Sequence, residues 1–315
     1  MLTSLTLWDV TSLYFIVNGA LRVIGLIRAQ SHSFFCHLHT IISRMTVSLS
    51  VSFVTHAPPL IPAFKDVFNS LLDAIIGAQH HQVLGTVSIT LVDNGNNEAL
   101  LEKVIAEASC AFPVILVKNP DNVGYSAHNQ GINQSNADYH LILNPDVLLS
   151  TSSLINGLTY LEDNQDTVMI CPYSEGQQGE PSHLCKRYPA VFDLALRGFA
   201  SEFIKQRFDH RLMRYEYRDL PTAEIIRSVE LISGCCILAR TKSLQLCDGF
   251  DGKFFLYFED FDLSLRMSKL GNLDYYPGMK IIHYGGNTAS KGVRHILYFV
   301  KSAVRFYRKH GLHIT

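Results

Sequence analysis

TVSITLVDNG, residues 86–95, is a run of apolar and β-branched residues that stops at an acid, an amide and a glycine. Such residues fit a pleated strand, and Asp-Asn-Gly is turn chemistry, so the stretch reads as a strand entering a loop. Upstream, VSLSVSFVTHA (47–57) reads as another strand, stopped by Pro58 and Pro59. Between them FKDVFNSLLDAIIGA (64–78) places Phe64, Val67, Phe68, Leu71, Leu72 and Ile75 at helical spacing and is expected to close at Gly77. Downstream come a helix in NEALLEKVIAEA (97–108), a strand and polar turn in PVILVKNPDNVG (113–124), and a short helix in SAHNQGINQS (126–135). YHLILNPDVLL (139–149) reads as a fourth strand interrupted at Asn144, Pro145 and Asp146, followed by a helix at 152–164 and a strand at 168–174.

Strand and helix alternate, which implies βαβ units and a parallel sheet with helices on both faces. Ligands of such sheets bind beyond the carboxyl ends of the strands, where Asp93 and Asp146 both fall. No GxGxxG and no phosphate-cradling loop with a following lysine occurs, which removes the main support for dinucleotide-binding and P-loop readings. From 174 to 228 the periodicity fades, and the segment reads as a surface insertion or a flap over a cleft. Regular patterning returns with SVELISGCCILART (228–241), read as one apolar strand, and LDYYPGMKIIHYGG (273–286).

The chain has 315 residues, 47% hydrophobic and 17% charged, with a formal net charge of −1 and no basic run, which argues against a general nucleic-acid binder. Seven cysteines without metal-ligand spacing fit buried thiols in a reducing compartment. The first 44 residues are apolar but carry Asp9, Asn18 and Arg22, a poor match to a membrane span or a signal peptide. They are expected to be an appendage or a start-site extension, with one domain over 45–315 opening near Met45.

FFLYFEDFDLSLRMSKLG (254–271) sets Glu259, Asp260 and Asp262 directly after a greasy turn. Acids favour the first turn of a helix, and Asp262 with Arg266 would make an i,i+4 pair; the alternative is that one of these carboxylates does chemistry. Asp146, after a proline at a strand end, is a turn residue or a hard ligand for Mg²⁺ or Mn²⁺. The same choice, turn or recognition, holds for Asp93. His283 is a structural residue or a ligand facing a cleft, Gly234 allows close backbone approach, and Lys118 and Arg187 are candidates to offset phosphate charge.

The order of LVDNGNNE, NPDNVGYSAHNQGI, YHLILNPDVLL, the stretch 232–271 and IIHYGGNT resembles the family 2 glycosyltransferases, in particular their rhamnosyltransferase-like branch, over roughly residues 47–310. The resemblance implies a GT-A fold with a mostly parallel central sheet, a dTDP- or UDP-sugar donor, a divalent cation (Mg²⁺ or Mn²⁺) and an inverting hexosyl transfer. It implies that Asp93 holds the nucleotide base and that Asn122, Gly124, Asn129, Gly131, Asn144 and Gly234 line the donor site. Asp146 and His283 would serve the metal, Asp260 would be the general base, and Glu259 would stand beside it. Two departures are visible: Asn144 replaces the first acid of Asp-x-Asp, and Thr55-His56-Ala57 stands where relatives often carry Thr-Tyr-Asn. The implied acceptor is a glycan or lipid-linked glycan in cell-surface polysaccharide synthesis such as O-antigen, at a cytoplasmic location or the inner face of the plasma membrane, with peripheral membrane association. A transferase for another hexose or for galactofuranose, and a catalytically silent sugar-binding protein, are the competing readings.

Overall fold

A strand shows successive side chains to opposite faces, and the first strand, β1 (Val47–Thr55), builds two unlike layers from that alternation. The computed structural model describes residues 46–56, 61–107, 112–285 and 293–314; the expectation for residues 1–44, and Ala57, lie outside them. On one face of β1, Leu49, Val51 and Phe53 are buried. Phe53 packs edge-on against Phe64 and Phe68 of α1 (Ile61–His80), at centroid distances of 5.5 and 6.4 Å. On the other face Ser50 and Ser52 lie under α3 (Asn129–Gln134), which comes close because Gly131 has no side chain; a Cβ there would sit 3.0 Å from that of Ser52.

The buried serines are answered by two buried histidines. Ser135 Oγ donates to Ser50 Oγ (2.7 Å), which meets His140 Nδ1 (2.6 Å). His140 Nε2 meets Ser52 Oγ (2.8 Å), which meets His128 Nδ1 (2.7 Å). One direction of donation satisfies every link with both imidazoles neutral. Burial pushes both histidines down to about 3, from 6.5 in an exposed setting, with their mutual charge adding to the effect at His140.

β2 (Leu84–Asp93), α2 (Glu98–Glu107), β3 (Val114–Lys118) and β4 (Tyr139–Leu143) complete the alternation. β5 (Val147–Leu149), α4 (Ser153–Asp163), β6 (Thr167–Glu175), β7 (Pro181–Ser182) and β8 (Cys185–Lys186) follow. Then come α5 (Val191–Phe199), α6 (Glu202–Arg207), α7 (Asp209–Tyr215), β9 (Leu231–Ile232), β10 (Cys236–Arg240), α8 (Thr241–Leu246), α9 (Glu259–Met267), β11 (Asn272–His283) and α10 (Val293–His310). The main sheet has the order β3-β2-β1-β4-β10-β6-β11-β5, with β7 on β6. β1 to β4, β6 and β11 run one way, and β5, β7 and β10 the other. Thr55 pairs with Asp93, and Asp93 with Lys118, so the carboxyl ends of these strands share one edge; β4 ends at the same edge, and Asp146 follows it.

Four expectations are revised. α1 runs past Gly77 to His80; the missing side chain serves close packing, since a Cβ would lie 3.2 Å from the Thr151 carbonyl. Residues 139–149 are not one interrupted strand: β4 pairs with β1 and β10, whereas β5 pairs antiparallel with β11. Residues 228–241 are likewise split, because β9 leaves the main sheet to pair with β8. Segment 174–228 is more regular than its patterning suggests, containing β7, β8 and α5 to α7.

α10 closes the fold over the loop before α9. Phe258 packs on Phe299 and Phe306 (both 5.2 Å), and Ser302 Oγ donates to the Leu256 carbonyl (2.8 Å). The buried Asp262 carboxylate meets Arg266 (2.8 Å), Lys309 (2.6 Å) and His310 (2.7 Å). Removing the acid would leave the Arg266 and Lys309 charges without their buried partner, so Asp262→Ala should lower unfolding free energy by about 3 kcal/mol; an unchanged urea midpoint would show that the cluster is dispensable. The histidine pair gives a pH effect of known sign. The unfolded chain takes up protons below about pH 6.5, while the folded chain resists until about 3. Stability should therefore fall on acidification, by about 4 kcal/mol from the two histidines between pH 7 and 5. The slope should flatten in His128→Gln/His140→Gln; equal slopes in calorimetry would contradict this account.

Candidate active site

The acid stretch is set by its backbone. Tyr257 and Phe258 both adopt left-handed φ, at 69° and 64°. Aromatic residues rarely do so, and each costs about 1–2 kcal/mol. Packing of Phe258 against Phe261, Phe299 and Phe306, and a Tyr257 hydroxyl contact with His295 Nδ1 (2.9 Å), offset that cost. The greasy turn thus holds a sharp entry into α9, and the acids follow at its first two positions.

Asp260 Oδ2 accepts from Gly234 N–H (3.0 Å) and Oδ1 from Phe261 N–H (2.9 Å). Gly234 is required by contact: a Cβ would fall 3.2 Å from both Asp260 Cβ and the Tyr125 ring. Burial pushes Asp260 up to about 6, against the pull of those N–H groups and of the Lys186 ammonium. Glu259, buried where Asp260 is only half-buried, is driven well above the carboxylate range by burial first and by the charge of Asp260 second. Its Oε2 has no hydrogen-bond partner among the described residues. Two adjacent acids, Glu259 buried and Asp260 half-buried, do not both ionise cheaply, so burial and mutual repulsion favour the neutral form of Glu259 while Asp260 titrates.

Asp146 lies between β4 and β5. The antiparallel register of β11 on β5 brings His283 opposite Val147, with His283 Nε2 3.5 Å from Asp146 Oδ2. Asp146 Oδ1 is buried and unpartnered among the described residues. Gly285 keeps the space clear, since a Cβ there would meet Asp146 Oδ2 at 2.4 Å and His283 Nε2 at 2.9 Å. A carboxylate oxygen with no partner, an imidazole nitrogen beside it and a gap kept by glycine suit a divalent cation that takes its remaining ligands from phosphates and water. Among the described residues no three His, Cys, Asp or Glu side chains converge as a metal-binding group.

The other expected donor residues are engaged in shaping loops. Buried Asp93 accepts from the N–H groups of Gly95 (2.8 Å) and Asn97, closing the loop after β2. Asn122 Oδ1 accepts from Gly124 N–H (2.9 Å). Gly124 has φ +68°, and a Cβ would lie 2.0 Å from the Phe255 carbonyl oxygen. Asn129 bonds the Phe250 N–H and carbonyl, both at 2.8 Å. Gly131 is the close-packing position described above. Asn144 exchanges hydrogen bonds with the Tyr125 hydroxyl at 2.7 and 2.9 Å. Lys118 pairs with Glu98 (3.0 Å), and Arg187 with Asp219 (2.9 Å).

Sequence reasoning missed Tyr125, which touches Asn144 and lines Gly234, and buried Lys186, whose pKa burial lowers to about 8 and whose charge acts on Asp260. Thr55, noted in the sequence as the first residue of Thr55-His56-Ala57, has its Oγ1 buried without a partner among the described residues at the end of β1. Tyr125 lies within a quoted motif, so its place there was the available signal; Lys186 lies in the segment without periodicity and gave none.

Residues 60–294 match the family model described as "Glycosyltransferase like family 2". Rhamnosyltransferase WbbL of Escherichia coli (strain K12) is 24% identical over 203 residues, 62% of this chain and 72% of that protein. N-acetylglucosaminyl-diphospho-decaprenol L-rhamnosyltransferase of Mycobacterium tuberculosis (strain ATCC 25618 / H37Rv) is 24% identical over 219 residues, 65% and 69% of the two chains. In fold, the chain is similar to GalNAc-T7 in its crystal structure with UDP, GalNAc and Mn²⁺, with TM-score 0.58 and 14% identity over 84% of this chain. It spans about half, 48%, of that chain. S. aureus TarS 1–349 gives TM-score 0.50 and 11% identity, covering 84% of this chain and 74% of that one. With a GT-A-like fold and a family match across most of its described length, this chain belongs to glycosyltransferase family 2 and is a glycosyltransferase.

Proposed function

We propose that the chain transfers a deoxyhexose such as rhamnose from a dTDP- or UDP-sugar to a glycan or lipid-linked glycan, with inversion at the anomeric carbon. The observation that carries this reading is the acid pair of buried Glu259 and half-buried Asp260, both with raised pKa, alongside an Asp146 oxygen left without a partner among the described residues. The names of the two rhamnosyltransferase relatives support the sugar, and that of the mycobacterial one supports a lipid-linked acceptor.

In this reading the acceptor hydroxyl loses its proton to Asp260 as its oxygen bonds the anomeric carbon and the bond to the nucleoside diphosphate breaks. Two N–H donors hold the Asp260 carboxylate in place and leave lone pairs free for the proton. Neutral Glu259 can donate to the acceptor without repelling the ionised base. Lys186 favours the ionised form of Asp260. Asp146 and His283 would hold Mg²⁺ or Mn²⁺, which when bound neutralises charge on the departing diphosphate. Asp93, Asn122, Asn129 and Gly131 then act on the donor site through the shape of the loops they hold.

Asp260→Asn should lower turnover by about 10²–10⁴ while leaving donor affinity near wild type, with Glu259→Gln less affected; a fully active Asp260→Asn would move the base elsewhere. Because the base works only when ionised, wild-type turnover should fall about tenfold per pH unit below about 6. The residual activity of Asp260→Asn should lack that break. Asp146→Ala should lose the Mn²⁺-dependent part of dTDP- or UDP-sugar binding in calorimetry, and equal affinities in the presence of Mn²⁺ would remove Asp146 from the site.

A further inference from the structure

α10 carries five Lys or Arg residues and no Asp or Glu over its 18 residues, on a chain of formal net charge −1. At about 100° per residue its sides divide cleanly. One side, with Ser302 and Phe306, is buried against the loop before α9. Away from it runs an apolar stripe of Leu297 (64% exposed), Val300 (49%) and Val304 (45%) at spacings of three and four. Along the edge of that stripe Arg294, Lys301 and Arg308 recur every seven residues, all exposed. The stripe continues across a groove of about 490 Å³ between α10 and α5. Phe199, 70% exposed, lines that groove from the α5 side.

A monomeric protein seldom leaves that much contiguous apolar surface in water. Exposed phenylalanine and leucine edged by a row of cations match an amphipathic helix lying in the plane of a bilayer. Among the described residues no helix is long and apolar enough to cross a membrane. We propose that the face formed by α10 and α5 docks on an anionic phospholipid surface, with the apolar stripe entering the headgroup boundary and Arg294, Lys301 and Arg308 meeting lipid phosphates. The row of cations, with no acid on the helix to answer it, selects this occupant over a second copy of the chain, which would bring like charge to like. The opposite side of α10 grips Leu256 and Phe258, next to the acid pair. A docked enzyme would therefore hold its base one helix away from the bilayer. Only that last point, the supply of a lipid-linked acceptor, rests on the function proposed above.

The test is flotation of the full chain with vesicles of phosphatidylcholine alone or with about one-third phosphatidylglycerol, without nucleotide or sugar. The wild type should float with the anionic vesicles, far less with the neutral ones, and be released by about 0.5 M salt. Lys301→Glu/Arg308→Glu and, separately, Leu297→Glu/Val300→Glu should each lower partition at least about tenfold with an unchanged melting temperature. The positions are exposed, and the second pair keeps the test open should the first misfold. Wild-type flotation by folded variants, or no flotation of the wild type, would overturn the proposal. So would a lipid-free dimer that either pair of substitutions dissociates, which would assign the face to a second copy. Because no donor is present, these outcomes stand whether or not the sugar assignment holds.

Discussion

The hydrogen bond from Gly234 N–H to Asp260 Oδ2, 3.0 Å long, is the contact on which the site's geometry depends. Gly234 belongs to the break between β9 and β10, and Asp260 to the first turn of α9, so the bond ties the acid-bearing helix to the sheet edge. One residue on, the Cys235 carbonyl accepts from Asn144 N–H (2.9 Å), two residues before Asp146. The path from the acid pair to the orphaned carboxylate thus runs through backbone alone. Backbone is stiff where side chains are not, so the two acidic ends of this edge are held at a fixed separation, as the proposed transfer would need. The Tyr125 ring fills the angle between them and links to Asn144 by its hydroxyl.

The same economy governs the other loops at this edge. Buried N–H groups at strand ends need partners, and here short polar side chains supply them: Asp93 for Gly95 and Asn97, Asn122 for Gly124, Asn129 for Phe250. These amides and acids stand in motifs that invite assignment to a ligand. Their hydrogen bonds show a prior task, holding the walls of a cleft in a shape that water and thermal motion would otherwise relax.

The alternation of β1 to β4 with α1 to α3 was legible because hydrophobic period and turn chemistry are local, and register alone then aligned Thr55, Asp93 and Asp146 at one edge. What was not legible depended on pairing at a distance. Nothing within residues 139–149 says that β5 joins β11, yet that pairing is what brings His283 to Asp146. The break at Ser233 was hidden because both halves of the stretch are apolar, and only β8, more than forty residues upstream, reveals that β9 has a different partner. Gly77 looked like a helix end because glycine ends helices often; here it serves close approach, which is a property of the neighbour and not of the segment. Lys186 escaped for the same reason, since burial of an ammonium is decided by what packs around it.

Gly124 joins two loops that the chain separates by about 130 residues. Its left-handed backbone and the Phe255 carbonyl, 2.0 Å from where a Cβ would sit, leave no slack between the loop after β3 and the loop before α9. Substitutions in the two loops will therefore not add: a change tolerated in one becomes harmful or helpful according to what the other holds. Divergence toward a new sugar or a new acceptor on this scaffold would have to move both loops together, and a graft of either loop alone from a relative would arrive with the wrong partner.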